Sequence, residues 1–311
     1  TFAIGGLETS LVVLLLVGMS YFYLTDRIPL AAFLASLALI TRPDTILLVG
    51  LIAMDYFIRV IRKQVKWEWL AMLALVLLPL LWYGYATLQF GTPIPHSVQA
   101  KLGAYRLPPE AALVRLLQHY TTPFMADRWL GAAVAVGSGL LLYPFFYLVG
   151  AKKLFRLNSR SLVIMVYPWL YLAVFAIANP LIFRWYLTPP LPFLFLGILM
   201  GVMVFFSTTF SSSRLRLPNF IQKGLLVILV ALLPFASLLG NWQIHPDHGL
   251  DQPAPGMAWY ELELLYQTAA HIVNPYLTPD TTLAAGDVGV LGYYTQARIL
   301  DTVGLNSPEA L

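Results

Sequence analysis

Cysteine is absent from this sequence, and charged residues are scarce. None of the 311 residues is cysteine, which excludes a disulfide framework, a thiolate metal site and a thiol nucleophile. Only 11% of the residues are charged, against about 25% in an average soluble domain. Hydrophobic residues make up 59% of the chain, and its mean hydropathy is +0.73. The composition therefore predicts an integral membrane protein.

Long apolar segments predict about eight transmembrane helices, because a helix needs roughly 17–25 apolar residues to cross a bilayer. The predicted fold class is an α-helical polytopic membrane protein whose membrane domain covers residues 1–240. Residues 241–311 are expected to form a small extracytoplasmic α/β domain. The expected spans are Glu8–Leu24, Pro29–Ile40 (short for a full crossing), Asp44–Ile61, Trp67–Gln89, Trp129–Gly150, Leu162–Ala178, Trp185–Ser207 and Gly224–Gly240.

Basic residues concentrate in loops that alternation of the spans places on one side of the membrane. Arg27 and the segments Arg59–Lys66, Lys152–Arg160 and Arg214–Lys223 hold 12 of the 19 basic residues, whereas 12 of the 15 acidic residues fall elsewhere. Because Lys and Arg are retained in cytoplasmic loops, these segments are predicted to lie inside. Most of the unusual polar residues then face outward.

The C-terminal tail has the pattern of a small α/β element. Thr282–Ala285 and Ala297–Val303 predict strands, and Val290–Tyr294 predicts a short helix between them. Asp287 and Asp301 fall at or near the strand ends, where ligand-contacting residues often lie. The tail is therefore a candidate for ligand contact on the outer side.

Three acidic and basic residues lie close to the outer ends of the first helices. Glu8 opens the first helix, where a carboxylate is favoured by the helix dipole or, alternatively, lines an outward cavity beside two glycines. Arg42 and Asp44 flank Pro43 in a tight turn between two apolar segments. They are expected either to pair with each other at a wet surface, where a pair is worth little, or to act on an anion such as phosphate, which Arg42 would bind and Asp44 would orient.

Two further outward segments contain candidate binding residues. After two prolines, His96, Ser97 and Lys101 fall on one helical face and suit a phosphate group, although an interfacial helix with a snorkelling lysine has the same pattern. Arg184 lies at the outer membrane edge, where an arginine is by default a candidate functional residue. Tyr186 beside it is also an ordinary aromatic-belt residue.

Four short motifs, in this order, resemble the bacterial GT-C superfamily of membrane glycosyltransferases. They are Gly-Leu-Glu-Thr at residues 6–9, Thr-Arg-Pro-Asp at 41–44, Pro-His-Ser-x-x-Ala-Lys at 95–101 and Arg-Trp-Tyr-Leu-x-Pro-x-x-Pro at 184–192. The similarity is greatest to the branch that includes the mycobacterial terminal arabinofuranosyltransferase. The tail at residues 286–305 is similar to the extracytoplasmic C-terminal portion of the same group.

The resemblance implies a transferase in the bacterial cytoplasmic membrane, with its active site facing outside. It would move a sugar from a polyprenyl-phosphate donor to a cell-envelope glycan, lipid or protein. Glu8 and Asp44 would orient or deprotonate the acceptor hydroxyl, although the family's main catalytic acid would lie before Thr1 in a chain interpreted as a fragment. The substrate-binding residues expected from the resemblance and the motifs are Arg42, His96, Ser97, Lys101, Arg184, Tyr186 and Asp287.

The resemblance leaves room for a divalent metal, but the sequence specifies no ligand set. His245, Asp247 and His248 lie close together, yet Pro246 interrupts their spacing and no fourth ligand is evident.

Two alternative functions stay open: a transporter or flippase of a lipid-linked sugar, and a non-catalytic membrane subunit. The expected partners are the donor, the acceptor and membrane lipids. Nucleic acid is not expected, because topology already explains the basic clusters.

Overall fold

Helices dominate the computed structural model, which describes residues 8–95, 98, 132–178, 184–212, 221, 224, 258–278, 280–286, 288–304 and 306–307. The chain forms two units. The first comprises Thr1–Pro93 and Pro108–Leu238, and the second comprises Ile94–Leu107 and Leu239–Leu311. Each unit is described below by itself.

Seven α-helices make up the described part of the first unit. They are α1 (Thr9–Leu24), α2 (Ile28–Thr41), α3 (Ile46–Ile61), α4 (Trp69–Phe90), α5 (Ala132–Leu157), α6 (Ser161–Ala178) and α7 (Leu191–Ser212). Short 3-10 turns at Pro43–Thr45 and Arg184–Leu187 precede α3 and α7. The ends follow local rules: Pro29 lies in the first turn of α2, and Gly91 ends α4 with a φ of +75°.

Three of these helices are long and apolar enough to cross a membrane, namely α4, α6 and residues Leu191–Thr208 of α7. They indicate that the chain associates with a membrane. The expected count of eight spans is not supported. The polar turns at Thr25–Arg27 and Arg42–Thr45 limit α1, α2 and α3 to 16, 14 and 16 residues. Such helices measure about 21–24 Å, so a full crossing of the roughly 30 Å hydrocarbon core would also have to include the polar turns at their ends. Apart from Gly224, the expected span Gly224–Gly240 lies outside the described residues.

Close helix packing in the first unit depends on small residues. Helix α2 packs against α1 and α4, and α5 packs against α7. In the second pair, Gly150, Gly197 and Gly201 bring the two backbones together. A Cβ atom added to Gly201 would lie 1.7 Å from the carbonyl oxygen of Phe146. Gly197 and Gly201 are four residues apart, the spacing at which glycines let membrane helices approach closely.

The turn after α1 and the turn after α5 lie at the same end of the first unit. Asn158 donates from Nδ2 to the carbonyl oxygen of Leu24 at 3.1 Å, and the Arg160 guanidinium lies 2.7 Å from the Asp26 carboxylate. This end carries the described basic segments that are predicted to be cytoplasmic, because Arg59 of α3 also donates to Ser159 Oγ at 3.2 Å. Which side of a membrane it faces stays a prediction.

The second unit contains the small α/β element that the tail pattern predicts. After α8 (Ala258–Val273), strand β1 (Thr282–Ala285) leads through helix α9 (Gly289–Thr295) to strand β2 (Arg298–Asp301). The two strands are parallel. The predicted strands and the short helix are confirmed, with β2 shorter at both ends than the sequence pattern indicated.

Asp301 has a structural role within the second unit. It is 2% exposed, and its carboxylate accepts hydrogen bonds from the backbone N–H groups of Val303 (2.9 Å) and Asn306 (2.8 Å) and from Asn306 Nδ2 (3.3 Å). A carboxylate occupied in this way holds the turn after β2. The expectation that Asp301 contacts a ligand is therefore wrong, because its oxygens are already bonded within the chain.

Candidate functional site

Arg42 forms the centre of a buried polar cluster at the end of α2. The residue adopts an extended backbone (φ −150°, ψ 130°) because Pro43 follows it, and the Thr45 hydroxyl donates to its carbonyl oxygen at 2.7 Å. Its side chain forms a bidentate pair with Asp44: Nε lies 3.0 Å from Oδ1 and Nη2 lies 2.6 Å from Oδ2. The expected pairing with Asp44 is present, but Arg42 is only 5% exposed. A wet surface was therefore the wrong setting for it.

Two residues from distant parts of the sequence complete the surroundings of the guanidinium group. The Tyr186 ring lies beneath it, with 4.8 Å between the guanidinium carbon and the ring centroid. The Glu8 carboxylate lies 3.8 Å from Nη1, and its side chain is 43% exposed. The first, second and fourth motifs of the resemblance therefore meet at one point of the first unit.

Helix α6 contributes a tyrosine that the sequence reasoning did not identify. The Tyr171 hydroxyl lies 2.8 Å from Asp44 Oδ2 and 2.6 Å from the carbonyl oxygen of Tyr186. Its one proton is donated to either oxygen or shared between the two. Its ring stacks on Phe175 with 4.5 Å between centroids. The sequence feature that could have identified it is the pair Tyr167 and Tyr171, which lie one helical turn apart in an apolar segment. Buried tyrosine hydroxyls usually have a hydrogen-bond partner, so such a pair indicates a nearby polar group.

The described charges of the cluster comprise one cation and two anions. Burial by itself lowers the pKa of Arg42, but the negative charge of Asp44 and the hydrogen bonds between them more than offset this effect, so the pKa lies above its usual value. Because Asp44 and Glu8 together carry one more charge than Arg42, the cluster does not attract a further anion through Arg42 alone. Its chemistry suits neutral hydroxyl groups better than phosphate.

Three buried polar atoms near the cluster have no hydrogen-bond partner among the described residues. They are Arg42 Nη1, Thr9 Oγ1 and the Tyr167 hydroxyl. Thr9 follows Glu8 directly, and Tyr167 lies one turn before Tyr171 on α6. Buried polar groups are normally satisfied, and the distance from Nη1 to Glu8 is long for a direct bond. A ligand hydroxyl or a water molecule between Glu8 and Nη1 would satisfy both.

The structure brings four of the predicted site residues together. Glu8, Arg42, Asp44 and Tyr186 form the cluster. The backbone of Arg184 lies in the 3-10 turn beside Tyr186, but its side chain is outside the described part of the chain. The remaining candidates lie outside the described residues as a whole: His96, Ser97, Lys101, Asp287, His245, Asp247 and His248.

The described residues do not fit a metal ion. They contain no group of three or more His, Cys, Asp or Glu side chains placed to hold one. Glu8 and Asp44 both approach Arg42, whose buried positive charge opposes a cation at the same point. The cluster therefore suits acid–base and hydrogen-bonding roles rather than metal binding.

A family model matches part of the second unit. A family model described as "Domain of unknown function (DUF8728)" matches residues 257–311. The match covers α8, α9 and both strands. No curated protein matches the chain, and no solved structure matches it.

Proposed function

We propose that the chain belongs to a membrane glycosyltransferase of the GT-C type. It would transfer a sugar from a polyprenyl-phosphate donor to an acceptor outside the cytoplasm, namely a cell-envelope glycan, lipid or protein. The observation that carries the proposal is the convergence of Glu8, Arg42, Asp44 and Tyr186. These residues come from three of the motifs that resemble this superfamily, although the first and the last are far apart in the chain. Their cluster belongs to the unit that contains the apolar helices.

Glu8 is the better candidate of the two carboxylates for contact with a reacting hydroxyl. Asp44 accepts hydrogen bonds from Arg42 and Tyr171, so its oxygens are occupied and it acts as a positioning residue. Glu8 is half-exposed, and among the described residues its carboxylate makes a long ion pair with Arg42. A carboxylate in that position can accept a hydroxyl proton or orient a sugar hydroxyl.

The leaving phosphate requires positive charge that the described cluster does not supply. Since the carboxylates already outnumber the arginine, the proposal gives phosphate binding to Arg184, which comes from the same motif as Tyr186. A cationic group there would stabilise the charge that develops as the sugar leaves. Arg42 instead holds Asp44 and Tyr186 in place.

The proposal is tested by sugar transfer in membranes that contain the protein. A panel of radiolabelled polyprenyl-phosphate pentoses and hexoses serves as the donor, and incorporation into envelope material is measured for the wild type, Glu8→Gln and Glu68→Gln. Glu68 precedes α4, and its side chain has no ion pair with the described residues. We expect Glu8→Gln to lower the rate of transfer roughly 10–100-fold, which corresponds to the free energy of one charge-assisted hydrogen bond. Glu68→Gln is expected to retain the wild-type rate.

Two results would contradict the proposal. If the wild type transfers no sugar from any donor but moves the lipid-linked sugar across the bilayer, the chain is a transporter or flippase. If both variants transfer sugar at the wild-type rate and are expressed equally, the cluster is structural and the site lies elsewhere.

A further inference from the structure

An apolar groove lies between α1, α2, α3 and α4, away from the polar cluster. It is an open groove with a cavity volume of about 40 Å³, and it is lined almost entirely by carbon atoms. Ala31, Ala32 and Ala35 of α2 form its floor, because their small side chains leave space where larger ones would fill it. Half-buried Ala53, Met72 and Leu75 lie at its mouth.

The groove extends inward from the basic end of the first unit. Its lining runs along α2 from Ile28 to Ala35, a length of roughly 10 Å at the rise of an α-helix. Tyr23 and Tyr56 line the same end. The Tyr56 hydroxyl donates to the carbonyl oxygen of Lys66 at 3.0 Å, which fixes the basic turn after α3 beside the groove.

Positive charge is in excess at this end. The turns and helix ends there contain nine basic residues, and only three acidic ones, Asp26, Asp55 and Glu68, accompany them. Two of the basic residues are paired, Arg59 with Asp55 and Arg160 with Asp26. The other seven are exposed and form no ion pair with a described carboxylate: Arg27, Arg62, Lys63, Lys66, Lys152, Lys153 and Arg156.

We propose that this groove binds one acyl chain of an anionic phospholipid, whose phosphate lies among the basic residues at the same end of the first unit. The apolar lining matches a hydrocarbon chain, which can lie along an open groove without being fully enclosed. Basic residues next to membrane helices attract anionic headgroups, and basic pockets between helices bind them. The site is independent of the proposed glycosyltransferase function, because none of its lining residues belongs to the Arg42 cluster.

The proposal is tested by native mass spectrometry of the purified chain in detergent with added phosphatidylglycerol or phosphatidylcholine of identical acyl chains. Wild-type protein is expected to retain one phosphatidylglycerol and to prefer it to phosphatidylcholine. Ala53→Trp places a large ring in the mouth and is expected to lower retention of both lipids at least fivefold. Gly50→Trp is the matched control on the same helix, because Gly50 is exposed and a Cβ atom added there would meet nothing within 4 Å.

A second variant tests the headgroup. Neutralising Arg27 and Lys66 together (Arg27→Gln with Lys66→Gln) is expected to lower the preference for phosphatidylglycerol by about fivefold per charge. Phosphatidylcholine binding by the same variant should stay unchanged, which makes it the internal control. Helical content measured by circular dichroism verifies folding, and Met72→Trp replaces Ala53→Trp if that variant does not fold.

Three results would overturn the proposal. Equal retention of both lipids by the wild type would show that the headgroup does not contribute to binding. Retention by Ala53→Trp that equals retention by Gly50→Trp places the lipid outside the groove. Absence of any retained lipid means that another part of this chain or a second copy fills the space.

Discussion

Replacement of Tyr171 by phenylalanine removes one hydroxyl from the polar cluster and leaves the packing of the ring intact. That hydroxyl lies within hydrogen-bond distance of the Asp44 carboxylate and of the Tyr186 carbonyl oxygen. The matched control is Tyr167→Phe, the same substitution one turn earlier on α6. Both tyrosines are 0% exposed, but the Tyr167 hydroxyl has no hydrogen-bond partner among the described residues.

The two substitutions should therefore differ in their effect on the free energy of unfolding. A buried hydrogen bond to a charged acceptor contributes about 1.5–3 kcal/mol, so Tyr171→Phe should destabilise the protein by that amount. Removal of an unpaired buried hydroxyl costs nothing and relieves its desolvation, so Tyr167→Phe should be neutral or stabilising. If a ligand hydroxyl meets Tyr167, this variant should keep its stability and lose ligand affinity.

The comparison requires reversible unfolding of the detergent-solubilised chain in urea, followed by helical circular dichroism. The midpoint should fall for Tyr171→Phe and not for Tyr167→Phe, with the same dependence on urea concentration in both. Equal destabilisation by the two substitutions, or a larger loss for Tyr167→Phe, would refute the reasoning about the hydrogen bonds of Tyr171.

Three further predictions concern other parts of the chain. Asp301→Ala should lower the free energy of unfolding of the second unit by at least about 2 kcal/mol, seen as loss of hydrogen-exchange protection in β2, whereas exposed Asp280→Ala should change it little. Gly201→Ala should destabilise the first unit by about 1–3 kcal/mol through overpacking, while Gly84→Ala, with open space around it, should raise the urea midpoint. Arg42→Leu should cost about 3–5 kcal/mol in the same assay, because it leaves the Asp44 carboxylate without its cation.

Local sequence rules predicted those features that neighbouring residues determine. Pro43 explained both the extended conformation of Arg42 and the start of the next turn. Alternating apolar residues predicted the strands of the tail, where β1 has the expected bounds Thr282–Ala285. In each case the deciding interaction is between residues adjacent or nearly adjacent in the chain, so the sequence contains the information directly.

Features set by contacts between distant segments were not predictable in the same way. Arg42 was expected in a wet turn, but its burial depends on Tyr186, more than a hundred residues away. The partnership of Tyr171 with Asp44 likewise depends on how α6 packs against α3. Hydropathy predicted eight spans because it registers apolar composition, whereas the polar turns between α1, α2 and α3 determine how long those helices are.

The most direct test of the account asks which side of the membrane the Arg42 cluster faces, because transfer from a lipid-linked donor outside the cytoplasm requires it to face outward. The chain has no cysteine, so single cysteines report without interference. Pro43→Cys and Gln64→Cys place them at exposed positions, beside the cluster and in the basic turn after α3. In intact cells, a membrane-impermeant maleimide should label Pro43→Cys and leave Gln64→Cys unlabelled until the cells are opened. Labelling of Gln64→Cys alone would contradict the account.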